Sequence, residues 1–206
     1  MAVYLAWHAT FETRRAMQKV LLLEEASGDP PLRKTLSGLG YDVVAQFDDA
    51  RALRTEVART APDVVIVRTR TPSAAMLESL AAISASCPRP IVVFAAEGGR
   101  DLIRRAVDCG VAGYVVDGWA AERLTSIIDA ASARFDMYEA TRKELASTRA
   151  KLAERKLIEK AKGIVMEQRK LSEDQAYTAL RRMAMDQNLA LAEVARRVIA
   201  VAQLLV

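Results

Sequence analysis

The side chains with the clearest chemical potential in this chain are cations near its C-terminus. Lys160, Lys162, Arg169, Arg181 and Arg182 fall within one short stretch, together with Gly163 and Tyr177. Lysine and arginine neutralise phosphates and an aromatic ring stacks on an unpaired base, so the set suits a folded polyanion. A glycine inside a helix costs about 1 kcal/mol relative to alanine. Gly163 therefore needs a reason, either tight helix packing or the close approach of a ligand. Tyr177 is likewise either a stacking ring or a core residue. Arg196 and Arg197 read as solvated.

Charge distribution agrees. From Arg142 onward there are 14 Lys and Arg against 8 Asp and Glu, whereas the preceding stretch holds 16 against 18. A basic tail behind a slightly acidic domain points to a polyanionic partner, although solvated helix faces would give the same count. The inventory also removes most catalytic chemistry. His8 is the only histidine, and Cys87 and Cys109 are too few and too far apart for a metal or disulfide framework. No enzyme activity, metal or cofactor is expected, and the cysteines fit buried thiols in a reducing cytoplasm. No apolar run approaches the roughly 20 residues needed to span a bilayer, and no secretory leader pattern opens the chain.

Residues 1–16 match no pattern; they are set apart as an extension without an assigned role, Met17 being another candidate start. From Lys19 onward short apolar runs alternate with helical segments. KVLLLEE (19–25), YDVVAQF (41–47), PDVVIVR (62–68), RPIVVFAA (89–96) and AGYVVDG (112–118) read as five strands. Helices fall between them, one from Ser73 to Ala85 and another from Gly99 to Cys109 that Gly110 would cap. Five strands alternating with helices predict a doubly wound, flavodoxin-like α/β domain over 17–118. A linker helix follows over 119–152. Leu124, Ile128, Phe135, Tyr138, Leu145 and Leu152 recur in steps that sum to heptads, with Arg142 and Arg149 at two seam positions, which predicts a dimerising coiled coil. The alternative is one amphipathic helix docked on its own domain. Residues 153–206 predict three short helices: a break at Lys170–Leu171, a capping box from Ser172 to Gln175, and a terminator at Asn188.

The five-strand order resembles that of phosphorelay receivers. In those domains two acids follow the first strand, a phosphate-accepting Asp ends the third, a hydroxyl residue the fourth and a lysine the fifth. The matching positions here are Glu24 and Glu25, Arg68, Ala95 and Asp117. The nucleophile, the switch hydroxyl and the cation are all replaced, so phosphotransfer is not expected. The charges are exchanged, and Arg68 is expected among Glu24, Glu25 and Asp117, its guanidinium occupying the space of a metal ion. A drifted pocket with only a scaffold role is the other reading.

The C-terminal segment resembles the ANTAR domain of transcription antitermination regulators. The residues that carry this are IEKAKGIVM (158–166), SEDQAY (172–177), Leu180-Arg181-Arg182, Ala184-Met185, and Leu191 with Val194-Ala195. The PRPIVVF strand, the long helix and the AERK junction look like the NasT-type subgroup, which controls nitrate assimilation operons. The resemblance implies an RNA-binding antiterminator whose target is a leader RNA with paired stem-loops, each with a hexanucleotide loop. It also implies control by a nitrate-sensing regulatory protein rather than by phosphorylation, and fits a homodimer. A DNA-binding response regulator is the alternative, since three basic helices can imitate a helix-turn-helix; the 169–172 break lacks the usual glycine-containing turn.

Overall fold

The computed structural model describes residues 18–25, 31–118 and 120–204. The segment 1–16, with Trp7 and His8, lies outside the described residues. Two compact units divide the chain after Tyr138.

The first unit is built on five strands: β1 (Lys19–Glu24), β2 (Asp42–Phe47), β3 (Val64–Thr69), β4 (Ile91–Ala95) and β5 (Gly113–Val116). All neighbours pair in parallel in the order β2-β1-β3-β4-β5, the flavodoxin-like arrangement that the alternating runs predict. A parallel sheet must be covered on both faces, so its central strands read as unbroken apolar runs rather than alternating ones. Val20 to Leu23 and Val64 to Val67 are accordingly all fully buried.

The covering helices are α1 (Leu32–Gly38), α2 (Leu53–Thr60), α3 (Ala74–Ser86), α4 (Arg100–Asp108) and the start of α5 (Ala121–Arg169). On one face Leu21, Leu23, Val65 and Val67 pack against Leu53, Met76, Leu80 and Ala106 from α2, α3 and α4. On the other, Val20, Leu22 and Ile66 meet Leu36 of α1 and Leu124, Ile128 and Ala131 of α5. Local signals set the helix ends. The Ser73 hydroxyl accepts from the Met76 N–H at the start of α3, and Gly110 takes φ +93° just beyond α4, where a side chain would be strained.

This packing corrects part of the predicted coiled-coil seam. Leu124 and Ile128 are fully buried inside the first unit. Burial of each contributes about 1.5–3 kcal/mol, which would be forfeited if they turned outward to meet a second chain. The docked-helix alternative holds for this part of α5. The boundary moves with it: the first unit reaches Tyr138 rather than ending at 118, because the sheet needs α5 to cover its second face. Phe135 is half-buried, and Tyr138, Leu145 and Leu152 are exposed.

In the second unit α5 continues without interruption to Arg169, followed by α6 (Glu173–Asp186) and α7 (Leu191–Leu204). Its core is Ala161, Val165, Ala176, Leu180, Ala184, Val194, Ala195 and Ile199. The many alanines let helix axes approach closely. Both turns rest on a left-handed residue, Lys170 at φ 55° and Asn188 at φ 51°, at the predicted breaks. The capping box is complete: Gln175 N–H donates to Ser172 Oγ, and Ser172 N–H donates to Gln175 Oε1 at 3.0 Å.

Candidate nucleic-acid interface and the altered receiver pocket

Parallel pairing of β1 with β3 sets Glu24 directly beside Arg68. The Arg68 Nη1 donates to Glu24 Oε1 at 2.9 Å, with side chains 19% and 8% exposed respectively. The second Glu24 oxygen accepts from Gln46 Nε2 at 2.8 Å, a partner supplied by β2 that no pattern in the sequence marks. A carboxylate at this depth is retained only when paired and hydrogen-bonded, and here both oxygens are used.

The expected cluster is smaller than the strand ends suggest. Glu25 accepts instead from the Thr69 hydroxyl at 2.7 Å. Asp117 is exposed, has a left-handed φ of 62°, and makes no ion pair among the described residues. Its N–H donates to the Ala95 carbonyl at 3.2 Å, a backbone link to β4 just past the end of β5. Ala95 is buried in the apolar core and offers no hydroxyl. The pocket is thus a guanidinium–carboxylate pair with an amide donor; it holds no carboxylate at the acceptor position and can form no acyl phosphate there.

In the second unit the candidate cations separate into two kinds. Lys162 is a structural tie. Its Nζ lies 2.6 Å from Glu159 and 2.6 Å from Glu173, and its side chain is only 11% exposed. Hydrogen bonds to Glu159 and then to Glu173 hold the ammonium above its usual pKa, and Lys162 in turn holds the Glu173 carboxyl below its usual range. Lys162, expected from the sequence among the nucleic-acid ligands, is thus already engaged by two carboxylates and joins α5 to the first turn of α6.

Lys160, Arg169 and Arg181 are exposed and make no ion pair among the described residues. Arg182 is exposed, with Nε 3.9 Å from Asp186, a weak contact in water. Arg196 and Arg197 both lean on Glu193, in keeping with solvated faces. The structure also decides the two open positions. Tyr177 is 44% exposed and is not part of the core. Gly163 is exposed, and a Cβ built on it would meet nothing within 4 Å, so tight packing does not account for it.

Helical spacing then sorts these residues on α6. Tyr177, Arg181 and Met185 follow at intervals of four and form one exposed ridge. Met185, which the sequence marks only as part of the ANTAR resemblance, lies four residues beyond Arg181. Arg169 and Arg182 instead line a shallow groove with Leu171, Asp174 and Met183. The ridge offers a ring, a planar cation and a thioether, which suits stacking on splayed bases; the groove sets its two guanidinium groups beside the carboxylates of Asp174 and Asp186.

Comparison with known proteins bears on the same segment. The ANTAR domain family matches residues 146–199. The transcriptional regulatory protein PdtaR of Mycobacterium tuberculosis is 31% identical over 183 residues, covering 88% of this chain and 89% of that protein. The nitrate regulatory protein of Klebsiella oxytoca is 50% identical over 58 residues, 28% of this chain and 15% of that protein. The first unit resembles the signal receiver domain of a modulated diguanylate cyclase from Desulfovibrio desulfuricans G20, at 26% identity and TM-score 0.52, covering 59% of this chain and 98% of that one. A receiver domain of an HD domain-containing protein from Pseudomonas fluorescens Pf-5 shows the same fold at 21% identity and TM-score 0.51, again over 59% of this chain and 98% of that one. A receiver fold leading through one long helix into an ANTAR unit, with similarity to PdtaR along nearly the whole chain, shows that the protein belongs to the family of ANTAR-domain transcriptional regulatory proteins.

Proposed function

We propose that this protein is an RNA-binding transcription antiterminator. Its ANTAR unit grips a leader RNA with paired stem-loops and holds it in the fold that precludes the terminator, so that polymerase continues; no bond is made or broken. The observation that carries this reading is the set of exposed cations, Lys160, Arg169 and Arg181, that make no ion pair among the described residues, together with the exposed ring of Tyr177 on a capped helical bundle. Unstacked loop bases are read by stacking, and closely spaced phosphates by cations.

We further propose a nitrate assimilation operon as the target, a reading supported by the likeness to the nitrate regulatory protein. A nitrate-sensing partner protein, rather than phosphate transfer, controls the receiver-like domain, which is consistent with an arginine where the acceptor would stand. The protein acts in the cytoplasm and as a homodimer. Among the described residues no helix is long and apolar enough to cross a membrane.

Gel-shift titration of the full chain with a two-stem-loop leader RNA tests the proposal. Affinity is expected to fall steeply with salt, with a log–log slope of roughly −3 for about four phosphate contacts to a single strand. The DNA-binding alternative draws on the short turns that join α5 to α6 and α6 to α7. Tighter binding to duplex DNA of the same sequence would favour it and displace the RNA reading.

A further inference from the structure

We propose that the three helices of the second unit hold a binding site for a small aliphatic carboxylate, a medium-chain fatty acid anion whose chain lies between α5, α6 and α7. A cavity of about 230 Å³ opens there, lined by residues near the ends of α5 and α6 and by the outer part of α7. At about 30 Å³ for each water-sized group, it takes roughly eight heavy atoms.

Helix spacing makes the cavity. Val194, Val198 and Val201 follow at intervals of four and three on α7, so they share one face. That face starts in the core, with Val194 3% exposed, and ends outside it, with Val201 58% exposed. Val165 of α5 and Met183 of α6 supply the facing walls. Ala202 also lines the space, and its side chain ends at Cβ. Apolar walls without partner atoms forfeit dispersion contacts, which a run of methylenes would restore. None of the described lining residues is aromatic; methyl-bearing walls and a pliable thioether fit an alkyl chain.

The mouth sets the charge of the ligand. Arg169 and Arg197 border it together with the amides of Gln168 and Gln187. Arg197 donates through Nη1 to Gln187 Oε1 at 3.4 Å, and its Nε lies 3.7 Å from Glu193, which offsets its charge. Arg169, the last residue of α5, is exposed and makes no ion pair among the described residues. One uncompensated guanidinium beside apolar walls matches a single negative charge on an apolar body. A carboxylate can meet that guanidinium with two parallel N–H···O bonds. Arg169 is also among the cations of the RNA-binding reading above, so an occupied cavity withdraws it from RNA. That consequence rests on the RNA reading; the site itself does not.

Isothermal titration of the full chain with sodium octanoate, without RNA, tests the site. Saturable binding is expected, with a matching rise in melting temperature. Butanoate leaves most of the cavity empty and octylammonium carries the opposite charge; both should bind more weakly, by about tenfold or more. Arg169→Gln should weaken octanoate binding by about tenfold, through loss of a charge-assisted hydrogen bond. Ala202→Leu, which fills the cavity, should abolish binding. No heat and no thermal shift with octanoate overturns the proposal. So does octylammonium binding as tightly as octanoate, which marks an unselective apolar patch. Full binding by Ala202→Leu puts the ligand elsewhere, and unchanged affinity in Arg169→Gln removes the carboxylate's partner; either overturns the assignment. In a gel shift, octanoate should lower affinity for the leader RNA. Octanoate bound with RNA affinity unchanged overturns the competition and keeps the site; absence of RNA binding overturns the RNA reading and leaves the site standing.

Discussion

Lys162 and Glu173 lie 2.6 Å apart across the turn between α5 and α6, and Glu159 shares the same ammonium from one turn earlier in α5. This contact makes Lys162 part of the scaffold that sets α6 rather than part of the surface that α6 presents. Lys162→Ala is expected to lower the melting temperature while leaving the salt slope of RNA binding unchanged. Glu173→Gln should lower it similarly, and the double variant by less than the sum. The pH dependence follows in sign. Glu173 is depressed below 4.5, so its contribution is present above that value and is lost as pH falls through its lowered pKa. Lys162 is raised above 10.5, so its contribution is complete below that value and is lost as pH rises through its elevated pKa. Thermal melts at pH 3, 7 and 11 of wild type and Lys162→Ala should differ most at pH 7.

Arg181 and Lys160 are exposed cations that make no ion pair among the described residues. Replacing either by Ala should weaken RNA binding about equally for all loop sequences and reduce the salt slope by about one unit. Tyr177→Ala should cost about 1–3 kcal/mol of binding by loss of a stacked base, and should not alter the salt slope. All three variants should melt near wild type, which separates them from Lys162→Ala.

Gly163 lies inside a helix with open space where a side chain would go. Gly163→Ala should therefore stabilise the fold by up to about 1 kcal/mol through helix propensity. If RNA approaches this backbone, the same methyl lowers affinity. A urea titration and a gel shift on the one variant measure both, and unchanged affinity would remove Gly163 from the interface.

Arg68 balances a carboxylate that is 8% exposed. Arg68→Ala leaves that charge with Gln46 alone and is expected to cost about 2–3 kcal/mol, read as a lower urea midpoint at constant m. Replacing Glu24 and Arg68 together by methionine should recover much of the loss, because removing a buried pair costs less than orphaning one member.

Leu124 and Leu145 belong to the same heptad series but meet different surroundings, one fully buried and one exposed. Leu124→Ala should destabilise the protein by about 2–5 kcal/mol. Leu145→Ala should change the stability of the isolated chain by no more than about 0.5 kcal/mol. Equal effects from the two would return Leu124 to the seam.

Local order was legible in the chain because it is written in adjacent residues. Apolar runs marked the strands, Ser73 and Ser172 marked helix starts, and Lys170 and Asn188 fell at the breaks, since capping and backbone preference act over a few positions. The position of Arg68 beside Glu24 followed as well, because parallel strand order brings those strand ends together. Which partner each charged group takes was decided only by the folded chain. Lys162 finds Glu173 eleven residues away, Glu25 finds Thr69 rather than Arg68, and Gln46 reaches Glu24 from a neighbouring strand. The same holds for burial along α5, where one unbroken periodicity is apolar core at Leu124 and solvent-facing at Leu152. A repeat states which residues share a helix face; what covers that face depends on elements far away in the chain, and burial and charge pairing are properties of that cover.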